Sequence, residues 1–140
     1  MKKMVNTSFL YAIAAMVGGV FYREFTKFTG FIGKTPLSVV HTHLFLLGMV
    51  FTLVAMLVVD KLNLYDSKKL RIFNISYNIG VPFTAIMLFI RGVLVVLGTP
   101  LSSGLNAAIS GISGIGHIFT GVGIIFFFLT VKEKLAKSSK

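Results

Sequence analysis

The chain has 140 residues, 55% of them hydrophobic and only 13% charged, with no cysteine and a formal charge of +10. A mean hydropathy of +0.88, with about half the roughly 25% charged share of soluble domains, excludes a soluble domain, and the lack of cysteine excludes disulfides, thiolate metal sites and thiol catalysis. The positive charge is not a nucleic-acid signature, because the basic residues stand in short flanks beside apolar runs, where the positive-inside bias of membrane proteins puts them.

The first apolar stretch is free of charge from Met4 to Tyr22. Its start, Met1-Lys2-Lys3, resembles a signal peptide, and Ala12, Ala14 and Ala15 offer cleavage-like small residues. The run nevertheless continues through Gly18, Gly19 and Val20 with no polar domain after it, so it reads as a retained first helix over about 5–22. Phe21 to Phe28 mixes aromatic and charged residues, as an interfacial belt does. A second stretch of 25 residues between Lys34 and Asp60 carries no charge and predicts a helix over about 36–59. The third, about 72–97, contains one charge, Arg91. Asn74, Tyr77 and Asn78 at its start read as capping or snorkelling residues. Gly98, Pro100 and the cluster Ser102-Ser103-Gly104 mark a turn, after which a fourth helix is predicted over about 105–131. Each span is long enough to cross a hydrocarbon core about 30 Å thick. The 14 phenylalanines read mostly as lipid-facing filler.

Lysine and arginine placement sets the expected orientation. Ten fall on the side of Lys2, Lys61 and Lys132, and three (Arg23, Lys27 and Lys34) on the other. This predicts both termini in the cytoplasm. Short connections force antiparallel neighbours, so the expected fold is all-α: an integral-membrane, four-helix, up-down-up-down bundle forming one domain, residues 1–140. Its polar intramembrane residues then gather in the outer half, and the inner half is expected to be apolar.

An ionisable residue inside a membrane span is costly and marks a candidate functional site. His41, His43 and His117 are the only histidines, and histidine is the commonest metal ligand. Residues two apart on a helix diverge by about 200°, so His41 and His43 serve different faces. At helical spacing His41 aligns with Ser38, Phe45, Gly48, Thr52 and Ala55, a mostly small face expected to look inward. His43 aligns with Val39, Leu46, Leu47, Val50 and Val54, expected to look toward lipid, a neighbouring helix or a partner subunit. On the fourth helix Ser110, Ser113, Gly114, His117 and Gly121 share a face. Glycines one turn before and after a histidine leave room for a flat macrocycle. His41 and His117 are therefore the expected axial ligands of a haem b iron, with Arg91 toward a propionate and Tyr22 closing the outer end.

The same residues admit other readings. Intramembrane histidines also hydrogen-bond between helices, which would make the protein a cofactor-free structural or regulatory subunit. A small transporter is disfavoured, since no carboxylate lies in mid-membrane and no inverted repeat is evident. Zinc is a weaker fit, because three histidines and almost no buried carboxylate are on offer, Glu24 being paired with Arg23. No Walker loop, Ser-His-Asp set or paired-carboxylate site is visible, so the chain is not expected to be an enzyme on its own, though it would serve as a redox subunit. Membrane lipid is the expected surrounding, and a redox partner or quinone is left unassigned. His43 on an aliphatic face, and Gly111, Gly116 and Gly123 on the fourth helix, point to a homo-oligomer.

Two resemblances rest on particular residues. Tyr22-Arg23-Glu24-Phe25-Thr26-Lys27, followed by Leu37-Ser38 and His41-Thr42-His43-Leu44-Phe45-Leu46-Leu47-Gly48-Met49, resembles a bacterial family of small four-helix membrane proteins catalogued as a domain of unknown function. That resemblance covers nearly the whole chain and implies a multi-pass protein of the bacterial cytoplasmic membrane. The stretch His41 to Gly48 is also similar to a histidine helix of haem-copper oxidase catalytic subunits, in which a His-X-His pair supplies haem ligands on opposite faces. The residues that carry it number eight. The oxidases' twelve helices, copper-ligating cluster and cross-linked His-Tyr pair have no counterpart here, so this second likeness implies haem ligation, by His41 or by His43, without oxygen reduction.

Overall fold

The computed structural model describes residues 2–138, all in helices and connecting turns. We number the helices α1 (Lys2–Thr29), α2 (Leu37–Leu62), α3 (Lys68–Val96) and α4 (Ser103–Ser138). All four are long and apolar enough to cross a membrane. The chain is a multi-pass membrane protein built as a four-helix bundle. Each helix runs past at least one end of its apolar window, because absence of charge delimits the hydrocarbon and not the helix. α1 continues through Arg23, Glu24 and Lys27 and stops at Gly30, whose φ of 65° suits a residue without a Cβ. Ser67 caps α3 by accepting a hydrogen bond from the Leu70 amide, and Gly98, at φ 61°, ends the turn that follows it.

α2 is not uniform. Leu37–His43 and Phe51–Lys61 are ordinary α-helix, and Leu44–Val50 between them is π-helical. Its buried positions Val40, Leu44, Gly48 and Thr52 recur at intervals of four, longer than the ~3.6 of an α-helix.

α1 packs along α2, α2 also meets α3, and α4 rests chiefly on α3. Between membrane helices there is little hydrophobic drive, so close backbone approach at small residues carries the association. Gly48 faces the Tyr11 ring, Gly92 faces Leu37, Gly80 of α3 meets Thr120 of α4, and Gly116 and Gly123 of α4 meet Thr84 and Tyr77 of α3. Near the end that carries both termini, Phe51, Phe73, Tyr77 and Phe127 form an aromatic cluster with centroids 5.0–6.2 Å apart.

Two sequence expectations are corrected here. Tyr77 neither caps nor snorkels: it is 1% exposed and its hydroxyl donates to the Leu47 carbonyl at 2.8 Å. Phe73 and Phe127 are core, not lipid-facing filler. For Tyr77 the room comes from Gly123 of α4, which packs directly on it.

The connections at the termini end are tied by polar contacts. Glu133 accepts from Lys69 at 2.7 Å and from Lys137 at 3.0 Å, joining α3 to α4. In the α2–α3 connection the Tyr65 hydroxyl donates to Asp60 at 2.8 Å. That hydrogen bond, more than any other influence, raises the pKa of Tyr65 above its ordinary value. A raised folded-state pKa means the contact is complete below about pH 10, the usual tyrosine value, and is lost as pH rises through the higher folded value. An NMR titration of labelled tyrosine should therefore find Tyr65 titrating late, and Asp60→Asn should bring it back toward the ordinary value.

Candidate functional site

The three histidines lie in three different settings. His41 is half-buried against α1, facing Gly19, where an added Cβ would stand 3.6 Å from its ring, and Tyr22 is stacked at 6.5 Å and 16°. Its Nδ1 is buried and has no hydrogen-bond partner. His43 is half-buried on the opposite flank, where Val39, Leu46, Val50 and Val54 are 39–58% exposed. His117 is exposed on α4.

His43 and His117 share one local device. Nδ1 of His43 lies 2.8 Å from the Val39 carbonyl, and Nδ1 of His117 lies 3.1 Å from the Ser113 carbonyl. A carbonyl oxygen only accepts, so each Nδ1 carries a proton, and the tautomer with a single proton there has its lone pair on Nε2. This is the arrangement in which helix histidines ligate metals: one nitrogen is fixed by backbone, the other is bare.

The face of α4 that carries His117 is not the one that seats the helix. Gly116 and Gly123, which the sequence reading assigned to an outer surface, are buried against α3, whereas Gly114 and Gly121, read as the cofactor-facing pair, meet nothing within 4 Å. Gly111 is open as well. Both stripes consist of glycines two turns apart, so spacing alone gives each an equal claim to the interior. Packing on Thr84 and Tyr77 decides between them.

Arg91 crosses from α3 to α4, where Nη1 donates to the Ser110 hydroxyl at 2.7 Å and Nη2 to Asn106 at 3.0 Å. Gly48 packs on Tyr11 and does not flank His41 as expected. Three cavities of the bundle are lined by none of the histidines. The expected His41–His117 pair is thus not gathered around any of them. Among the described residues, no three histidine, aspartate or glutamate side chains cluster as a metal cage.

Depth, however, matches for another pair. His43 stands 17 residues before Asp60, and His117 stands 15 before Lys132, the first charge after each. At ~1.5 Å per residue both lie about 22–26 Å from the charged boundary at the termini end.

Sequence reasoning missed a second polar group, in the half expected to be apolar. Tyr11 and Thr52 are buried there, with Thr7 and Asn78 beside them. The available signal was Thr7 and Tyr11, one helical turn apart on the first helix.

A family model described as a protein of unknown function, DUF2871, matches residues 1–134. The chain belongs to the DUF2871 family. No curated protein and no solved structure matches it, so the comparisons do not show the likeness to haem-copper oxidase helices. For a DUF2871 chain, then, function has to be read from the side chains themselves.

Proposed function

We propose that the protein is a b-type haem carrier of the bacterial cytoplasmic membrane, with both termini cytoplasmic, in which haem lies between neighbouring copies of the chain. His43 of one copy and His117 of the next are the axial ligands, replacing the His41–His117 pair that spacing suggested. The observation that carries the reading is that His43 and His117, at matched depth, each fix Nδ1 on a backbone carbonyl and leave Nε2 free on the outside of the bundle.

Other features fit it. Within one chain the ring contact between α2 and α4 is that of Phe51 and Phe127, which lie 8 and 10 residues toward the termini end from the two histidines. Open Gly114 and Gly121 flank His117 and leave bare backbone for a flat ring. Arg91 uses two of five donors on α4 and keeps others for a propionate. A histidine on one surface pairing with a histidine on a different surface is a head-to-tail contact, the kind that forms a ring of copies when its rotation closes. Haem with both axial positions filled supplies one-electron transfer.

The test is the absorbance spectrum of protein purified after haem supplementation. A Soret band that sharpens on reduction is expected. Its absence would overturn the haem reading in favour of a cofactor-free structural subunit.

A further inference from the structure

Two adjoining cavities line α1: one reaches along the helix from Thr7 to Phe21, and the other lies at the termini end. One, of about 700 Å³, is an apolar slot whose walls include Leu10, Ala14, Phe21, Leu44, Pro82 and Phe89. The other, of about 290 Å³, is a polar mouth with Lys3, Thr52, Asn74 and Tyr77 in its walls. Thr7 and Asn78 line both, so the slot opens into the mouth. The slot alone has the volume of a small-molecule site.

Hydroxyls there are unmet. Thr52 is 5% exposed, lines the mouth, and its Oγ1 is buried without a partner. Thr26, Thr29, Thr120 and Thr130 each return the hydroxyl to a carbonyl four residues earlier on the same helix. Thr52 does not, because its carbonyl four residues back belongs to Gly48 in the π-helical stretch. Tyr11, 8% exposed, lines the slot, and its hydroxyl has no hydrogen bond to another described residue. Pro82 offers no N–H to the carbonyl of Asn78, another group at this junction. A buried hydroxyl without a partner is costly, and a bound acceptor removes the cost.

We infer that this double cavity binds a lipid-soluble quinone: the uncharged ring in the mouth with its carbonyl oxygens accepting from Thr52 and Tyr11, and the apolar tail in the slot. A phospholipid is the competing occupant, and depth argues against it. Thr52 lies eight residues inside Asp60, roughly 12 Å of helix, where a phospholipid presents only acyl chain and no acceptor. The site is separate from the histidines and needs no haem.

Full-length, haem-free protein in detergent, titrated calorimetrically with decylubiquinone, tests it. One site per chain is expected. Thr52→Val and Tyr11→Phe should each weaken binding about tenfold, the value of a lost hydrogen bond at the upper end of its range. Ala14→Phe, on an exposed position of the slot wall, should abolish binding while leaving the hydroxyls and the helical melt intact, so it decides the matter if either hydroxyl variant misfolds. Unchanged binding in Ala14→Phe, or in a folded Thr52→Val/Tyr11→Phe double variant, would overturn the inference. So would protein that retains phospholipid and takes up no decylubiquinone. Because the titration uses haem-free protein, its failure leaves the haem reading untouched, and a missing Soret band leaves the quinone site untouched.

Discussion

Copies carrying His43→Ala and copies carrying His117→Ala should each lose the haem absorbance, and an equal mixture of the two should recover about one quarter of it. The fraction follows from head-to-tail pairing. A site needs an intact His43 from one copy and an intact His117 from its neighbour, and in a random mixture each condition is met about half the time. The measurement is the Soret absorbance per chain after co-expression of the two variants. If haem were held within one chain, no chain in the mixture would have both ligands and nothing would return. If two copies met through His117 alone, His43→Ala would keep its full spectrum. His41→Ala serves as the control and should leave the band in place, because its ring is packed on Gly19 and Tyr22.

Gly80→Leu should be the most damaging single change to the fold. A Cβ there would collide with the backbone amide of Thr120 and the carbonyl of Gly116, which cannot rotate aside as a side chain can. Overpacking of this kind costs about 3 kcal/mol, the upper end of its usual range, and it falls on the contact through which α4 is chiefly held. Unfolding followed by circular dichroism in a detergent titration should show a large drop in midpoint. Gly114→Leu, one helical face away, meets open space and should change the stability of the isolated chain by no more than about 0.5 kcal/mol. Yet it should displace haem, because it fills the flat ground beside His117. Two glycines would thus separate folding from assembly.

The spans, their number and the common side of the two termini were readable because a membrane imposes one rule on every helix: no charge across some twenty residues. Faces were harder to read. Gly114 and Gly116 have the same chemistry, and only the positions of Thr84 and Phe83 on another helix decide which is buried. His41 shows a second reason. Counted back from Thr52 and Gly48 in ordinary helical turns, the inward position falls on His41, but the π-helical stretch hands that place to Val40, which is 5% exposed. Nothing in the composition of Leu44–Val50 announces that winding. The hydroxyls of Tyr11 and Thr52 escaped for a related reason: single weakly polar residues in an apolar run carry no weight until two helices bring them together.

The wide winding of α2 also bears on chain length. From Val40 to Thr52 the inward face spends 12 residues on three turns, where an ordinary helix would use about 11. The helix thus holds one supernumerary residue, as an insertion absorbed by local swelling would leave it. Removing one residue within Leu44–Val50 returns the segment to regular winding with both flanks still in phase. The same loss within Phe51–Lys61 turns everything beyond it by about 100°. Among homologous genes, single-codon gains and losses in this helix should therefore collect between His43 and Phe51.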